Sequence, residues 1–182
     1  MRVLVVFETM FGNTKQIAQA VAAGLAASTE VEIHDVGDAP TTLPADLDAL
    51  ILGGPTHVFS LSRPSTRENA ARHGGSPEDA PLGIREWMQS LPEHPRPFFF
   101  AAFDTRTDMA LVPGAASRSA TRLARRRGFH VLEPKSFYVQ GYRGPLVEGE
   151  LDRARRWGAE LATILTGQGA QSVPPVPGDS DG

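Results

Sequence analysis

The chain has 182 residues, no cysteine, and 18 Lys+Arg against 21 Asp+Glu, a formal net charge of −3. That length predicts one domain whose folding removes roughly 70% of the unfolded chain's surface from water, enough to hold a core without disulfides or a structural metal. The missing thiols exclude disulfide scaffolds, thiolate zinc or iron–sulfur ligation and thiol catalysis by this chain, and the acidic balance argues against a nucleic-acid partner.

The opening run Val3-Leu4-Val5-Val6-Phe7 is apolar for five residues before Glu8, too short for the apolar stretch of a secretion signal. No apolar run reaches the length of a membrane span. A soluble, cytoplasmic protein is therefore expected. Further along, short β-branched runs alternate with amphipathic stretches, the pattern of strands buried on both faces of a parallel sheet. The predicted strands are 3–8, 31–34, 49–53, 98–103 and a last one from 129 to 139, interrupted at Pro134. The predicted helices are 14–28, 82–90, 115–127 and 147–165, with a shorter one around 44–47. Right-handed crossovers then put helices on both faces of the sheet.

Two stretches break the alternation. Residues 54–81 carry Gly54-Pro55, Arg63-Pro64-Ser65 and His73-Gly74-Gly75-Ser76-Pro77 without a periodic pattern, and a segment that long between elements is usually functional or disordered. Residues 167–182 have too few large apolar groups to fold. They are expected to be a disordered tail behind a folded domain at 1–166.

The most informative segment is Glu8-Thr9-Met10-Phe11-Gly12-Asn13-Thr14, which leaves the first strand and enters a helix at Lys15-Gln16-Ile17. Amides at a helix start lack intrahelical acceptors and carry the positive end of the helix dipole, so a phosphate there gains donors and favourable charge together. Gly12 lets the backbone approach closely, while the Thr9 and Thr14 hydroxyls and the Asn13 amide add side-chain donors. The competing reading is an ordinary tight turn with a Thr cap. A nucleoside-triphosphate loop is excluded because Phe7 stands where its first glycine is required, and the Gly-x-Gly-x-x-Gly of dinucleotide folds is absent.

The segment resembles the Thr/Ser-x-x-Gly-Asn-Thr phosphate loop of the flavodoxin family, and the resemblance extends over about residues 1–166. It implies a flavodoxin-like doubly wound five-stranded parallel sheet, order 2-1-3-4-5, in a three-layer α/β/α sandwich, with one FMN bound noncovalently. Gly53-Gly54-Pro55-Thr56-His57-Val58-Phe59, after the third strand, looks like the family's first ring-flanking loop. Phe103-Asp104-Thr105-Arg106, after the fourth, stands at the second. In such a sheet these loops meet the phosphate loop at the topological switch point. The implied cofactor-binding residues are thus Thr9, Met10, Phe11, Gly12, Asn13, Thr14, Pro55, Thr56, His57, Val58, Phe59, Phe103, Asp104, Thr105 and Arg106. Pro55, His57, Phe59 and Phe103 would supply stacking faces, and backbone amides near residues 56–58 and 104–106 would bond the polar edge of the ring.

Function by resemblance is electron transfer through FMN to a redox partner protein, with no catalytic side chain required. Two departures favour a second reading. No Tyr lies between Phe103 and Val112 to cover the ring, and the charge of −3 is mild for a carrier that docks on basic partners. The second reading is an FMN-dependent oxidoreductase acting on a quinone-like or protoporphyrinogen-like substrate, with NAD(P)H as a candidate reductant. A flavin-free interaction protein on the same fold is the third.

Among single residues, His57 reads either as a proton carrier beside the flavin or as a packing residue. Asp104 and Arg106 either orient a substrate or pair with each other. Arg63, Arg67 and Arg72 read as solvated surface or as a basic lid for an anionic substrate. Arg118, Arg122 and Arg125 fall on one helical face and read as an exposed surface. The spacing of His34, His73, His94 and His130 points to no metal site.

Overall fold

The computed structural model describes residues 1–56, 61–75, 82–107 and 115–169. Its core is a parallel sheet of six strands: β1 (Arg2–Phe7), β2 (Glu30–Asp35), β3 (Ala49–Pro55), β4 (Phe99–Thr107), β5 (His130–Val131) and β6 (Lys135–Val139). The order is β2-β1-β3-β4, and β5 and β6 both pair with β4 as two halves of the fifth position. This is the expected 2-1-3-4-5 sheet, split where Pro134 removes a ladder donor.

Alternation along β1 explains the layers. Val3, Val5 and Phe7 point to one face, packed with Ile17, Val21, Trp157 and Leu161, while Leu4 and Val6 point to the other, packed with Trp87, Met88 and Phe98. Burying each such side chain contributes about 1.5–3 kcal/mol. The first face carries α1 (Asn13–Leu25) and α5 (Glu150–Gly169). Their axes approach closely because Gly24 and Gly158 face each other: a Cβ on Gly24 would stand 2.1 Å from the Arg155 carbonyl, and one on Gly158 2.2 Å from the Val21 carbonyl. The second face carries α3 (Ile84–Ser90) and α4 (Ala116–Arg126).

Two expectations need correction. Residues 44–47 form no helix; a single turn closes there, with the Leu47 amide donating to the Pro44 carbonyl at 3.0 Å. The segment 54–81, read as structureless, contains α2 (Pro64–Arg72). Pro64 suits the first turn because its missing N–H is not needed there, and the Thr66 hydroxyl accepts from the Arg63 amide at 2.8 Å. The expected tail falls largely outside the described residues.

Candidate functional site

β1 delivers the chain to the phosphate-loop segment in register, the Glu8 amide donating to the Gly53 carbonyl at 2.8 Å. Gly12 then takes φ +81°, in the left-handed region that costs a residue with a side chain about 1–2 kcal/mol. A Cβ there would meet nothing within 4 Å among the described residues, which leave open space above the turn. The Gly12 amide donates to Thr9 Oγ1 at 3.0 Å, which closes the turn. Among the described residues no side chain caps α1. The amides of Asn13, Thr14 and Lys15 therefore lack helical acceptors, although Asn13 and Thr14 are buried. Buried, uncapped amides at the positive end of a helix dipole suit a phosphate monoester.

The Thr14 hydroxyl lies 2.7 Å from that of Thr105, at the end of β4. Two hydroxyls in contact share one proton and keep the other for a further acceptor. Asn13 behaves differently from expectation: its side-chain amide donates to the Arg143 carbonyl at 2.8 Å, anchoring the chain after β6 rather than facing the loop. Phe11 packs edge-on against Tyr142, with centroids 5.4 Å apart, and Tyr142 in turn meets His73 at 6.2 Å. Met10 is buried, and a Cβ on Gly75 would stand 3.3 Å from its carbonyl. The end of α2 thus lies against the phosphate loop. Between them opens a cavity of about 810 Å³ whose lining includes Thr9, Gly12, Lys15, Asp35 and Arg143. Its two cations, Lys15 and Arg143, share that lining with two acids, Asp35 and Asp38. Burial, and secondarily the neighbouring Asp38, raises the Asp35 carboxyl above its usual range.

Pro55 and Thr105 are register partners on β3 and β4, so the expected ring-binding strands end side by side next to the phosphate loop. The Thr56 amide is committed to the Thr105 carbonyl at 2.9 Å, and its hydroxyl accepts from the Ala116 amide at 3.1 Å, capping α4. Its amide is therefore not free to bond a ring edge, while its hydroxyl keeps a proton to donate. Phe103 offers no stacking face: only 1% exposed, its ring lies over Gly53 and packs against Phe137 and Trp157 at 6.0 and 6.1 Å. Asp104 turns to the opposite face and is buried. Its Oδ2 accepts from the Ser117 amide at 3.2 Å and from the Ser117 hydroxyl, and burial raises its pKa against those bonds. Arg106 is half-buried at the rim. His57, Val58 and Phe59 lie outside the described residues.

A second buried cluster was not foreseen. The Glu8 carboxyl is buried, and its Oε2 accepts from the Ile84 amide at 3.0 Å at the start of α3. Arg67, only 1% exposed and not surface as expected, donates to Ser62 Oγ at 2.9 Å and to Glu86 Oε2 at 3.2 Å. Burial is the main cause that raises the Glu8 pKa, opposed by Ser62, the Ile84 amide and the Arg67 charge. This cluster pins α2 and the start of α3 to the residue that opens the phosphate loop. Two acids and an Arg far apart in sequence gave no spacing signal by which to find it.

No protein-family model and no curated protein matches the chain in sequence. Solved structures do. A flavodoxin from the domain Archaea superposes with a TM-score of 0.62 at 19% identity, over 91% of this chain and 99% of that one. Flavodoxin 1 from Bacillus cereus gives 0.63 at 20% identity, over 90% and 98%. The flavodiiron protein from Giardia intestinalis gives 0.62 at 16% identity, over 95% of this chain and 38% of that one. The chain has the flavodoxin fold. Among the described residues no helix is long and apolar enough to cross a membrane, and no group of three or more His, Cys, Asp or Glu side chains is placed to hold a metal ion.

Proposed function

We propose that the protein binds FMN noncovalently and passes electrons through it. The observation that carries this reading is the uncapped start of α1 behind a left-handed Gly12, joined through Thr14 and Thr105 to the ends of β3 and β4. The residues fit the group. The amides of Asn13, Thr14 and Lys15 with the hydroxyls of Thr9 and Thr14 would hold the phosphate, and Lys15 would add positive charge. Pro55 and Arg106, toward the ends of β3 and β4, would hold the ring, and the residues read from the sequence as sharing that role, His57, Val58 and Phe59, lie outside the described residues. Bound FMN supplies the redox chemistry, and the chain supplies position and local charge. No side chain needs to act as an acid or base in such transfer. A cytoplasmic carrier that meets a redox partner protein is the leading form of this proposal.

One observation favours a flavoenzyme instead. With Phe103 in the core, the end of β4 presents no aromatic among the described residues, which would leave a face of the flavin for a quinone-like substrate and for NAD(P)H as reductant. The anaerobic visible spectrum of the purified protein, before and after NADH or NADPH, decides between them. Flavin bands that bleach directly support the enzyme, and bands that persist until a separate reductase is added support the carrier. Absence of flavin bands after incubation with FMN overturns both and leaves the flavin-free interaction protein.

A further inference from the structure

The outer face of α4 carries a feature that the flavin reading does not use. Arg118, Arg122 and Arg125 line a groove of about 500 Å³, with Glu133 and Pro134 on the opposite wall. No acidic side chain among the described residues forms an ion pair with any of the three. Among the described residues the Arg122 side chain bonds only Ser119 Oγ, at 3.3 Å. Like charges one helical turn apart repel, so this row costs stability that an anion would return. At the floor lies Thr121, 4% exposed, whose hydroxyl has no hydrogen-bond partner among the described residues. A Thr in mid-helix ordinarily bonds the carbonyl four residues back. A buried hydroxyl left unpaired beneath an arginine-lined groove keeps a proton for a further acceptor.

We infer that this groove is a binding site for the diphosphate of a nucleotide, held by Arg118, Arg122 and Arg125 with the Thr121 hydroxyl as buried donor. Guanidinium groups bind phosphate oxygens in pairs with fixed geometry, and three of them spread over about 10 Å of helix meet more oxygens than a monoester offers. Glu133, on the far wall, accepts from a hydroxyl, which suits the ribose of a nucleoside. The groove's volume of about 500 Å³ falls within the range of small-ligand sites. The site is separate from the phosphate loop and stands whether or not FMN binds there. The helix that carries it starts beside the ends of β3 and β4, where the Ala116 amide is capped by Thr56 and Ser117 bonds Asp104. The diphosphate of a nicotinamide dinucleotide and that of free ADP share this chemistry.

The test is calorimetric titration of the full chain with ADP, NADPH and inorganic phosphate, each with FMN absent and at saturation. ADP is expected to saturate in both conditions and to bind at least about tenfold more tightly than phosphate. NADPH tighter than ADP assigns the site to a dinucleotide, and the reverse assigns it to free nucleotide. The double variant Arg118→Gln/Arg125→Gln, both positions exposed, is expected to weaken ADP binding at least about tenfold, and Thr121→Val roughly two- to tenfold. Circular dichroism melting checks that each variant is folded, and the arginine variant alone decides if Thr121→Val is not. ADP binding that FMN abolishes and the arginine variant leaves unchanged would place the nucleotide at the phosphate loop and overturn the inference. So would the absence of saturable ADP binding.

Discussion

The hydroxyls of Thr14 and Thr105 stand 2.7 Å apart, although ninety-one positions separate them in sequence, and this contact ties the first turn of α1 to the end of β4. Thr14→Val leaves the buried Thr105 hydroxyl without its partner. We expect a loss of about 1–3 kcal/mol in urea unfolding, with weaker FMN binding read from flavin fluorescence. Undiminished affinity would show that the pair is structural and not part of the phosphate site.

Gly12→Val tests the same loop from the backbone side. At φ +81° the substitution costs about 1–2 kcal/mol, and its side chain fills the open space above the turn. Folded protein without flavin is the expected product. A variant that is purified with full flavin content would refute the assignment of this loop.

Arg67 is buried between Ser62 and Glu86 and near Glu8. Arg67→Met removes the cation and leaves buried acceptors uncompensated, at about 3 kcal/mol or more. Adding Glu8→Gln should recover part of that loss, since the neutral amide no longer needs the charge. Double-mutant analysis of urea midpoints measures the coupling. Strict additivity would mean that the two residues do not interact.

Asp104 predicts a pH dependence. Burial, the main cause, holds its carboxyl above the usual range against the Ser117 bonds, Ser136 and the Arg106 charge. A carboxyl whose pKa is higher folded than unfolded binds more protons when folded. Its stabilising contribution is therefore full below the ordinary carboxylate range and is lost as pH rises through the folded value. Asp104→Asn does not titrate and keeps an acceptor for Ser117. Relative to wild type, its Tm should improve as pH is raised from about 4 to about 8. A gap that moves in favour of the wild type over that range contradicts a raised pKa.

Gly24 and Gly158 allow α1 and α5 to touch through their backbones. Gly158→Ala puts a methyl into the Val21 carbonyl, where no flexible side chain can yield, and should cost about 1–3 kcal/mol. Because α1 carries the phosphate loop, the Tm and flavin affinity of the variant are expected to fall together.

The strands were legible because each is a short apolar run between turn residues, and the phosphate loop because Gly12-Asn13-Thr14 follows one of them directly. Helix α2 was not, since within Pro64–Arg72 only Arg67 and Ala70 are buried and a buried Arg writes no apolar stripe. Pro64 with Thr66 is the local signal that marks it. Phe103 was read as a wall of the cleft because its place beside Asp104 in the chain suggested a loop, whereas β4 runs on to Thr107 and its alternation turns Phe103 into the core. Glu8 reads as a lone acid until folding brings Ile84 and Arg67 to it, a long-range effect that no local pattern records.

Glu8 belongs to two segments at once, as the first residue of the phosphate loop and as the acceptor for the Ile84 amide. Opening either segment exposes the same buried carboxyl, so the two should unfold locally as one cooperative unit. Hydrogen exchange at the Ile84 amide then becomes a reporter for the cofactor site, and it should slow when FMN binds some distance away. An Ile84 amide whose exchange ignores the cofactor would show that the segments open independently.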